Sequence, residues 1–444
     1  MTGVAFMLGG RTFRHGVHPA EHKEATRSRP IERMPFVDEY WLPLAQHIGA
    51  PSKASVSPGQ KVQRGEVIAE AGGFVSTFLH APVTGTVKAI ELRPHPSGKQ
   101  LQTIVIATDA FASQKITTLE RPAQDADAAT KAAFIQRGGL VGMGGAAFPT
   151  HVKLQVPKGK TVSFVVLNGC ECEPYLTCDH RVMVEQAEQV MRGLDLILEL
   201  TLAKRGAVGV ELNKPDAIEA LRQAIGTRPV EVVGLTVKYP QGAEKMLIDA
   251  LSSREVPSGG LPLDLEIVVQ NVGTAAVLAG LFDHGIPLIE RAVTVTGPGI
   301  RRPANVMVPI GTPVRQVIEH CGGLLPSAGL VVLGGPMMGM AQKSLDVPVT
   351  KGTSGILVLD QSTKTVSEEP CIRCGRCLEA CPMFLNPSRL AQLARAELHD
   401  ELAALHVMDC FECASCSFSC PSHIPLVQLI RVGKALVRQK GSSQ

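Results

Sequence analysis

The chain has 444 residues, of which 45% are apolar and 19% are charged, and its formal net charge is +3. This length favours roughly three domains, and the apolar fraction excludes a chain that is disordered throughout. Because the basic residues are dispersed along the sequence rather than clustered, nucleic acid is excluded as a partner.

Residues 1–40 predict an extended N-terminal arm over the surface, because Gly, Pro, His and charged residues alternate there without a helical or strand period. The arm lacks the apolar core and cleavage site of a signal peptide. Apolar stretches such as GLDLILELTLA are shorter than the ~20 residues that cross a bilayer. We therefore expect a cytoplasmic chain with peripheral membrane contact. Four histidines contain no i, i+4 pair inside a convincing helix and do not favour a metal site; they are His15, His18, His22 and His47.

Residues 41–115 predict a small β module, because short alternating apolar runs are separated by Pro-Gly, Arg-Gly and Thr-Gly turns. The VxxGxxVxxGxxL and AxxxGxV phrases resemble the lipoyl/biotinyl barrel-sandwich hybrid fold. The carrier lysine of that fold is expected a few residues before HAPVTG, yet no lysine occurs between Lys61 and Lys88. A carrier function is therefore excluded, and we expect a scaffolding or docking role.

Residues 125–288 predict an α/β domain with a mostly parallel sheet. TVSFVVLNG and LEIVVQNVG have the composition of buried parallel strands, and HRVMVEQAEQVMRGLDLILEL has the period of one long amphipathic helix. Ligands of such sheets bind at the carboxyl ends of the strands. The loops at those ends are therefore the candidate site.

The first candidate loop is GGLVGMGGAAFPTHVKL, residues 138–154. Gly142, Gly144 and Gly145 would let the backbone approach a phosphate before a helix begins, and Lys153 would add positive charge. A tight turn without a ligand is an equally good interpretation of the glycines.

Two further loops carry polar or aromatic side chains suited to a cofactor. They contribute Asn168, Glu171 and Glu173 from NGCECEPYLTCDHRVM, and Tyr239, Glu244, Asn271 and Thr274 from YPQGAEKML and QNVGTAAV. The acids and amides are acceptors for ribityl or ribose hydroxyls, and the tyrosine is able to stack on a ring. The alternative for the acids is a helix N-terminus, where the helix dipole favours negative charge.

Residues 289–345 predict a small β-grasp module of short strands with a PIGT turn that opens a helix, and residues 346–365 predict connecting strands. The tail from 366 to 430 carries two matching runs, CIRCGRCLEACP and CFECASCSFSCP. Residues 431–444 complete a basic amphipathic helix that either packs on the core or contacts a partner or lipid surface.

The cysteine spacing predicts two [4Fe–4S] clusters. Three cysteines in a tight loop bind one cluster, and the fourth cysteine of each run binds the other cluster. The first set is Cys371, Cys374, Cys377 and Cys420, and the second set is Cys410, Cys413, Cys416 and Cys381. Structural zinc usually uses paired CxxC motifs, and disulfides are disfavoured in a reducing compartment.

From GVHPAEHKEAT to the second cysteine run, the chain resembles the C subunits of the Rnf electron-transport complexes, also called Rsx. From about residue 125 the domain order also resembles the flavin-bearing, NADH-oxidising subunit of respiratory complex I. The resemblance implies a Rossmann-like domain that binds FMN and NAD(H), and a β-grasp module of the SLBB type. It assigns the cofactor contacts to Gly142, Gly144, Gly145, Lys153, Asn168, Glu171, Glu173, Tyr239, Glu244 and Asn271.

Within these contacts, the resemblance favours the glycines and Lys153 for the FMN phosphate, and Glu173 and Glu244 for the dinucleotide. Three positions depart from the complex I pattern: Met143 replaces a basic residue, Cys170 an acid and Ala243 the first of two paired acids.

The loop cysteines Cys170, Cys172 and Cys178 match no common cluster spacing, so buried thiols are favoured over a third metal site.

The function implied by the resemblance is exchange of electrons between NAD(H) and ferredoxin, coupled to ion transport. NADH delivers two electrons as hydride, and a flavin passes them singly to the clusters. The expected partners are the other subunits of a membrane-embedded complex, including a ferredoxin-like subunit, at the cytoplasmic face of the bacterial inner membrane. The alternatives are a soluble NADH dehydrogenase or diaphorase, and a non-enzymatic iron–sulfur adaptor without flavin.

Overall fold

The computed structural model describes residues 10–362 and 367–441. Residues 1–9 of the expected arm, and residues 363–366 and 442–444, lie outside the described residues. Along the described chain, an arm is followed by two packed antiparallel sheets, a parallel α/β sheet, a mixed sheet and a helical tail with the cysteine runs.

The arm runs between the modules instead of over the surface. Phe13, Val17 and Thr26 are buried, and the backbone of Val17 exchanges hydrogen bonds of 2.8 and 2.9 Å with Tyr239. The arm then forms strand β1 (Ile31–Arg33), which pairs with the mixed sheet. The arm is held by the burial of these side chains and by its backbone hydrogen bonds to the later modules.

The barrel-sandwich module consists of two facing sheets around one apolar core. Its strands are β2 (Glu39–Pro43), β3 (Lys53–Ala54), β4 (Lys61–Val62), β5 (Val67–Glu70), β6 (Leu79–His80), β7 (Gly85–Pro94) and β8 (Gln100–Thr108). The sheets have the orders β2-β8-β7-β4 and β3-β5-β6. The turn between β5 and β6, where a carrier lysine would stand, packs on the α/β module: Thr77 donates to the Gln136 carbonyl at 3.1 Å.

The α/β module has a four-stranded parallel sheet of order β11-β10-β9-β12. Its strands are β9 (Phe164–Gly169), β10 (Gly206–Glu211), β11 (Val230–Leu235) and β12 (Ile267–Asn271). Its helices are α1 (Ala128–Arg137), α2 (Thr150–Leu154), α3 (Cys178–Glu185), α4 (Ala187–Thr201), α5 (Pro215–Ile225), α6 (Glu244–Ser252) and α7 (Val272–His284), with a 3-10 turn at Pro262–Leu265. The strands are mostly apolar because helices cover both faces.

The segment predicted as one long helix forms two helices, α3 and α4, separated at Gln186. Gln186 has φ −130° and ψ 33°, outside the helical region. The start of α3 is held by the Glu171 carboxylate, and the middle of α4 contacts α7 so closely that a Cβ on Gly193 would lie 2.0 Å from the Ala275 carbonyl oxygen. These two attachments give the helices separate axes.

The mixed sheet has six strands in the order β1-β14-β13-β17-β15-β16. Its strands from this region are β13 (Glu290–Thr296), β14 (Ala304–Pro309), β15 (Ala328–Leu333), β16 (Met340–Gln342) and β17 (Gly355–Asp360), and α8 (Val314–His320) covers its core. Strand β17 comes from the segment expected to connect modules, and it lies inside the sheet between β13 and β15.

The tail is a bundle of short helices. These are α9 (Arg376–Ala380), α10 (Pro387–Arg395), α11 (His399–Ala404), a 3-10 turn (Val407–Asp409), α12 (Ser415–Phe418) and α13 (Leu426–Gly441). Helix α13 packs on α10 and α11 through Leu426, Val427 and Ile430. Among the described residues, no helix is both long and apolar enough to span a membrane.

The contact between α4 and α7 predicts that Gly193→Ala destabilises the chain by about 1–3 kcal/mol, the usual cost of overpacking. Gly280→Ala is the matched control, because a Cβ there meets no atom within 4 Å; helix propensity should make it stabilising by up to about 1 kcal/mol. Urea denaturation followed by circular dichroism compares the two midpoints. Equal midpoints for the two variants would contradict this contact.

Candidate functional site

The parallel pairing of β9 with β12 brings two of the predicted loops together. Asn168 and Asn271 are register partners at the carboxyl ends of these strands. The Asn168 amide donates to the Gly242 carbonyl at 2.8 Å. The Asn271 amide donates to Asp179 at 2.6 Å, and its side-chain oxygen caps α7 at the Thr274 N–H, 3.2 Å away. The acidic loop, the tyrosine loop and the start of α7 therefore meet at one edge.

The glycine loop forms an open cradle above Asn271. A Cβ on Gly144 would meet only the Asn271 side chain, at 3.6 Å, and a Cβ on Gly145 would meet nothing within 4 Å. Gly145 has φ +110°, which other residues rarely adopt. This open backbone leaves room for an anionic group that approaches closely, and a solvent-exposed tight turn has the same open space.

Met143, which replaces the basic residue of the complex I pattern, is 5% exposed. Its N–H donates to the Thr274 hydroxyl at 2.9 Å, and its carbonyl accepts from Arg291 at 3.2 Å. The Met143 side chain therefore belongs to the core and leaves the cradle open.

Two buried basic side chains, Arg291 and Lys351, hold the backbone of the glycine loop. Arg291 is 2% exposed and also donates to the Lys351 carbonyl at 2.5 Å. Lys351 is 1% exposed and donates to the carbonyls of Gly139 at 2.6 Å and Phe78 at 2.7 Å, which joins the barrel-sandwich module to the loop. Burial lowers the pKa of Lys351 to about 7. Neither residue was predicted, because no local pattern distinguishes a buried Arg or Lys from a solvated one.

Lys153 and Glu244, predicted to contact different parts of the ligands, form an ion pair with each other. Their Nζ and Oε1 atoms are 2.6 Å apart, and the side chains are 33% and 36% exposed. Lys153 also donates to the Val269 carbonyl at 3.3 Å. At this exposure the pair contributes little to stability, so breaking it to bind a ligand would cost little.

The two acids of the acidic loop are occupied by backbone donors. Glu171 accepts from the N–H groups of Asp179 at 2.9 Å and His180 at 3.1 Å, so it holds the N-terminus of α3, as the alternative interpretation proposed. Glu173 accepts from Met337 at 3.0 Å and Met338 at 2.8 Å in the mixed sheet module. Burial raises the pKa of Glu173 to about 7.

The acidic loop is also held by a lysine of the arm that was not predicted. Lys23 is 5% exposed and donates to the carbonyls of Glu171 at 2.7 Å, Glu173 at 2.9 Å and Leu176 at 2.5 Å. Burial lowers the pKa of Lys23, and the neighbouring Lys214 lowers it further. A cavity of about 250 Å³ separates this part of the arm from the ends of β10 and β11.

Tyr239 is not placed to stack on a ring in the cradle, because its side chain is 1% exposed. Its hydroxyl donates to the Cys413 carbonyl in the second cysteine run, at 2.8 Å. Burial raises the pKa of the tyrosine, so the hydroxyl remains a donor. The predicted site residue thus connects the α/β module to the tail.

Three thiols, Cys170, Cys172 and Cys178, belong to the acidic loop. Burial raises the pKa of Cys170, Cys172 and Cys178, which favours the neutral thiols. The Sγ atom of Cys172 accepts from the Gly242 N–H at 3.3 Å. This arrangement supports buried thiols in the loop.

The tail brings cysteines of both runs to one apolar cavity. Cys381, Cys410, Cys413 and Cys416 line it together with Phe411, Val427 and Ile430. This is one cysteine from the first run and three from the second, the set that the spacing predicts for one cluster. The donor set and the apolar shell fit a [4Fe–4S] cluster.

The other predicted set lies nearer the surface. Cys377 and Cys420 pack in a common apolar group with Leu426, whereas Cys371 and Cys374 are exposed. We call the buried set the inner set and the exposed set the outer set.

Four protein families match this chain, in the order of its modules. They are the RnfC barrel sandwich hybrid domain at residues 11–111, the Nuo51 FMN-binding domain at 135–279, the SLBB domain at 292–341 and the 4Fe-4S dicluster domain at 368–424. The matches confirm the predicted fold class and the predicted FMN and two [4Fe–4S] clusters.

Two relatives match nearly the whole chain. The C subunit of the proton-translocating ferredoxin:NAD(+) oxidoreductase complex of Clostridium ljungdahlii is 46% identical, over 88% of this chain and 86% of the relative. The C subunit of the Na(+)-translocating ferredoxin:NAD(+) oxidoreductase complex of Acetobacterium woodii is 46% identical, over 97% of this chain and 99% of the relative. The chain belongs to the family of C subunits of ion-translocating oxidoreductase complexes. A longer member of this family, from Pseudomonas aeruginosa, is 41% identical over 94% of this chain and 55% of the relative.

The buried Lys23 predicts that Lys23→Met destabilises the chain, because three carbonyls lose their donor. Each buried acceptor left without a partner costs about 1–3 kcal/mol. Lys158→Met is the control, because Lys158 lies on the exposed loop before β9. Urea denaturation of both variants should give a lower midpoint for Lys23→Met, and a midpoint equal to that of the control would contradict the anchoring role.

The shared cavity predicts that Cys381→Ser removes the same cluster as Cys410→Ser, although the two cysteines belong to different runs. Electron paramagnetic resonance of each reduced variant should then show the signal of the outer cluster alone. Cys371→Ser should leave the complementary signal, and Cys321→Ser, a buried thiol of the mixed sheet module, should leave both. The assignment fails if the Cys381→Ser spectrum matches that of Cys371→Ser.

Proposed function

We propose that the chain is the NAD(H)-interacting subunit of a membrane-bound, ion-translocating ferredoxin:NAD oxidoreductase, and passes electrons between NAD(H), FMN and two [4Fe–4S] clusters. One observation carries the proposal: a single chain combines an open glycine cradle at the carboxyl edge of a parallel sheet with a cavity lined by cysteines of both runs. The names of the relatives from Clostridium ljungdahlii and Acetobacterium woodii support it.

The electrons balance with these cofactors alone. Oxidation of one NADH to NAD⁺ releases a proton and two electrons, and two clusters that each accept one electron take up both. FMN supplies the chemistry that divides the pair into single electrons. The same equation holds in reverse, so the arrangement serves either direction of flow.

The rim of the cradle would hold the anionic parts of the ligands. Gly144 and Gly145 leave room for a phosphate beside the backbone, and Lys153 supplies positive charge. An anion at Lys153 would release Glu244 from the ion pair, and its carboxylate would then accept from a ribose hydroxyl. Glu171 and Glu173 act by fixing the acidic loop, since their oxygens already accept backbone N–H groups.

The outer set is the proposed exit to the rest of the complex. Cys371 and Cys374 are exposed, and Ile372, Leu378 and Phe418 expose apolar surface in the same two runs. A ferredoxin-like subunit is the proposed partner, because an exposed cluster beside apolar surface permits short transfer between proteins. The chain would lie on the cytoplasmic face of the inner membrane as a peripheral subunit, held there by the other subunits.

The cradle predicts that Gly144→Val loses FMN and keeps both clusters. The protein has room for a Cβ at this position, so the added side chain collides mainly with the ligand. Gly73→Val is the matched control, because its Cβ also has a single neighbour, Ala50, at 3.6 Å.

Acid-released flavin, iron and sulfide are measured anaerobically in the full chain, and the flavin absorbance is followed after NADH is added. The unmodified chain and Gly73→Val should bind FMN that bleaches with NADH. Iron and sulfide without flavin or an NADH response in the unmodified chain would overturn the proposal and favour the iron–sulfur adaptor.

A further inference from the structure

Tyr239 stands where the arm, the α/β module and the tail meet. It follows the carboxyl end of β11, and hydrogen bonds of 2.8 and 2.9 Å with Val17 fix its backbone on the arm. Its ring is 1% exposed. The end of β11 and the arm therefore fix the position of Tyr239.

The hydroxyl of this phenol points at the inner set. It donates to the carbonyl of Cys413 at 2.8 Å, and Cys413 lines the cavity shared with Cys381, Cys410 and Cys416. The next residue, Ala414, has φ +63°, so the chain turns sharply directly after the bonded carbonyl. The bond thus acts on the backbone of a predicted cluster ligand at the point where its loop changes direction.

Apolar side chains pack around the bond. Tyr239 and Cys413 form one buried cluster with Val17 and Ala380, and the partly buried Cys172, Met337 and Phe411 pack against it. A hydroxyl–carbonyl bond is stronger in such surroundings than in water, and its loss leaves a buried acceptor unsatisfied. Cys172 belongs to the acidic loop, so this cluster joins the acidic loop to the inner set.

We propose that Tyr239 is a positioning residue that holds the inner cluster loop against the flavin-binding module, through its hydrogen bond to the Cys413 carbonyl. This inference rests on the proposed function, since it assigns the inner cluster as the one that exchanges electrons with the flavin. Hydrogen bonding and solvent exposure around the ligands set the potential of a cluster. The bond therefore fixes both the position and the potential of the inner cluster, and the outer cluster is the second carrier.

The test compares Tyr239→Phe with Tyr40→Phe in the full chain loaded with FMN and both clusters. Tyr40 is the matched control, because it is also buried and its hydroxyl accepts from the Val37 N–H at 3.0 Å in the barrel-sandwich module. Tyr239→Phe should shift the midpoint potential and alter the resonance signal of the inner cluster only. The oxidised chain is mixed rapidly with NADH, and the chemically reduced chain is mixed rapidly with NAD⁺. In Tyr239→Phe, electron transfer to or from the clusters should be slowed about 10-fold, the usual effect of removing a hydrogen-bond partner of a metal ligand.

Hydride exchange with the flavin should be unchanged in Tyr239→Phe, because Tyr239 does not line the glycine cradle. The inference is overturned if Tyr239→Phe matches the unmodified chain in inner-cluster potential, resonance signal and transfer rate, or if Tyr40→Phe changes them equally. Hydrogen–deuterium exchange at residues 413–418 separates this failure from a failure of the proposed function. If amide exchange is faster in Tyr239→Phe but the chain does not respond to NADH, the hydrogen bond holds the cluster loop as proposed. The proposed electron path is then rejected.

Discussion

The parallel pairing of Phe164–Gly169 with Ile267–Asn271 is the constraint on which the candidate site depends. It places Asn168 opposite Asn271, and each asparagine then directs a different loop: Asn168 bonds the tyrosine loop at Gly242, and Asn271 bonds Asp179 and caps α7. A shift of register by one residue would place the two amides on opposite faces of the sheet. The glycine cradle would then have no floor, because Asn271 is the side chain nearest to Gly144.

Around this edge of the sheet, buried lysine and arginine side chains join modules that are far apart in sequence. Lys23 of the arm binds the carbonyls of the acidic loop, Lys351 joins the barrel-sandwich module to the glycine loop, and Arg291 binds Met143 from the mixed sheet. Buried basic groups need several acceptors to replace water, and here main-chain carbonyls fill that role. The barrel-sandwich module thus contacts the site with the very turn that carries the lysine in lipoyl-like proteins.

The sequence predicted the features that local patterns encode. The buried strands, the glycine loop and the two cysteine runs follow from composition and spacing, and Cys381 with Cys410, Cys413 and Cys416 line one cavity in the combination that the spacing favours. The predicted single helix over residues 180–200 was wrong, because its two halves are held by contacts from Glu171 and Ala275 that lie elsewhere in the chain. Lys23 and Lys351 gave no signal, since the burial of a lone lysine depends on tertiary neighbours. The cofactor roles of Glu173 and Tyr239 were predicted from their chemistry at strand ends and from the resemblance, and the structure gives both side chains partners in other modules.

The central claim is that one chain transfers electrons between a dinucleotide at the sheet edge and the cysteine tail. The most direct measurement follows NAD(H) absorbance and the electron paramagnetic resonance of the clusters together in the fully loaded chain. NADH is added to the oxidised chain in one experiment. In the other, the chain is reduced chemically, the reductant is removed, and NAD⁺ is added. The account predicts that in at least one direction the cluster signals change with two electrons per dinucleotide. Clusters that respond to chemical reductants but exchange no electrons with NADH or NAD⁺ in either direction would contradict it.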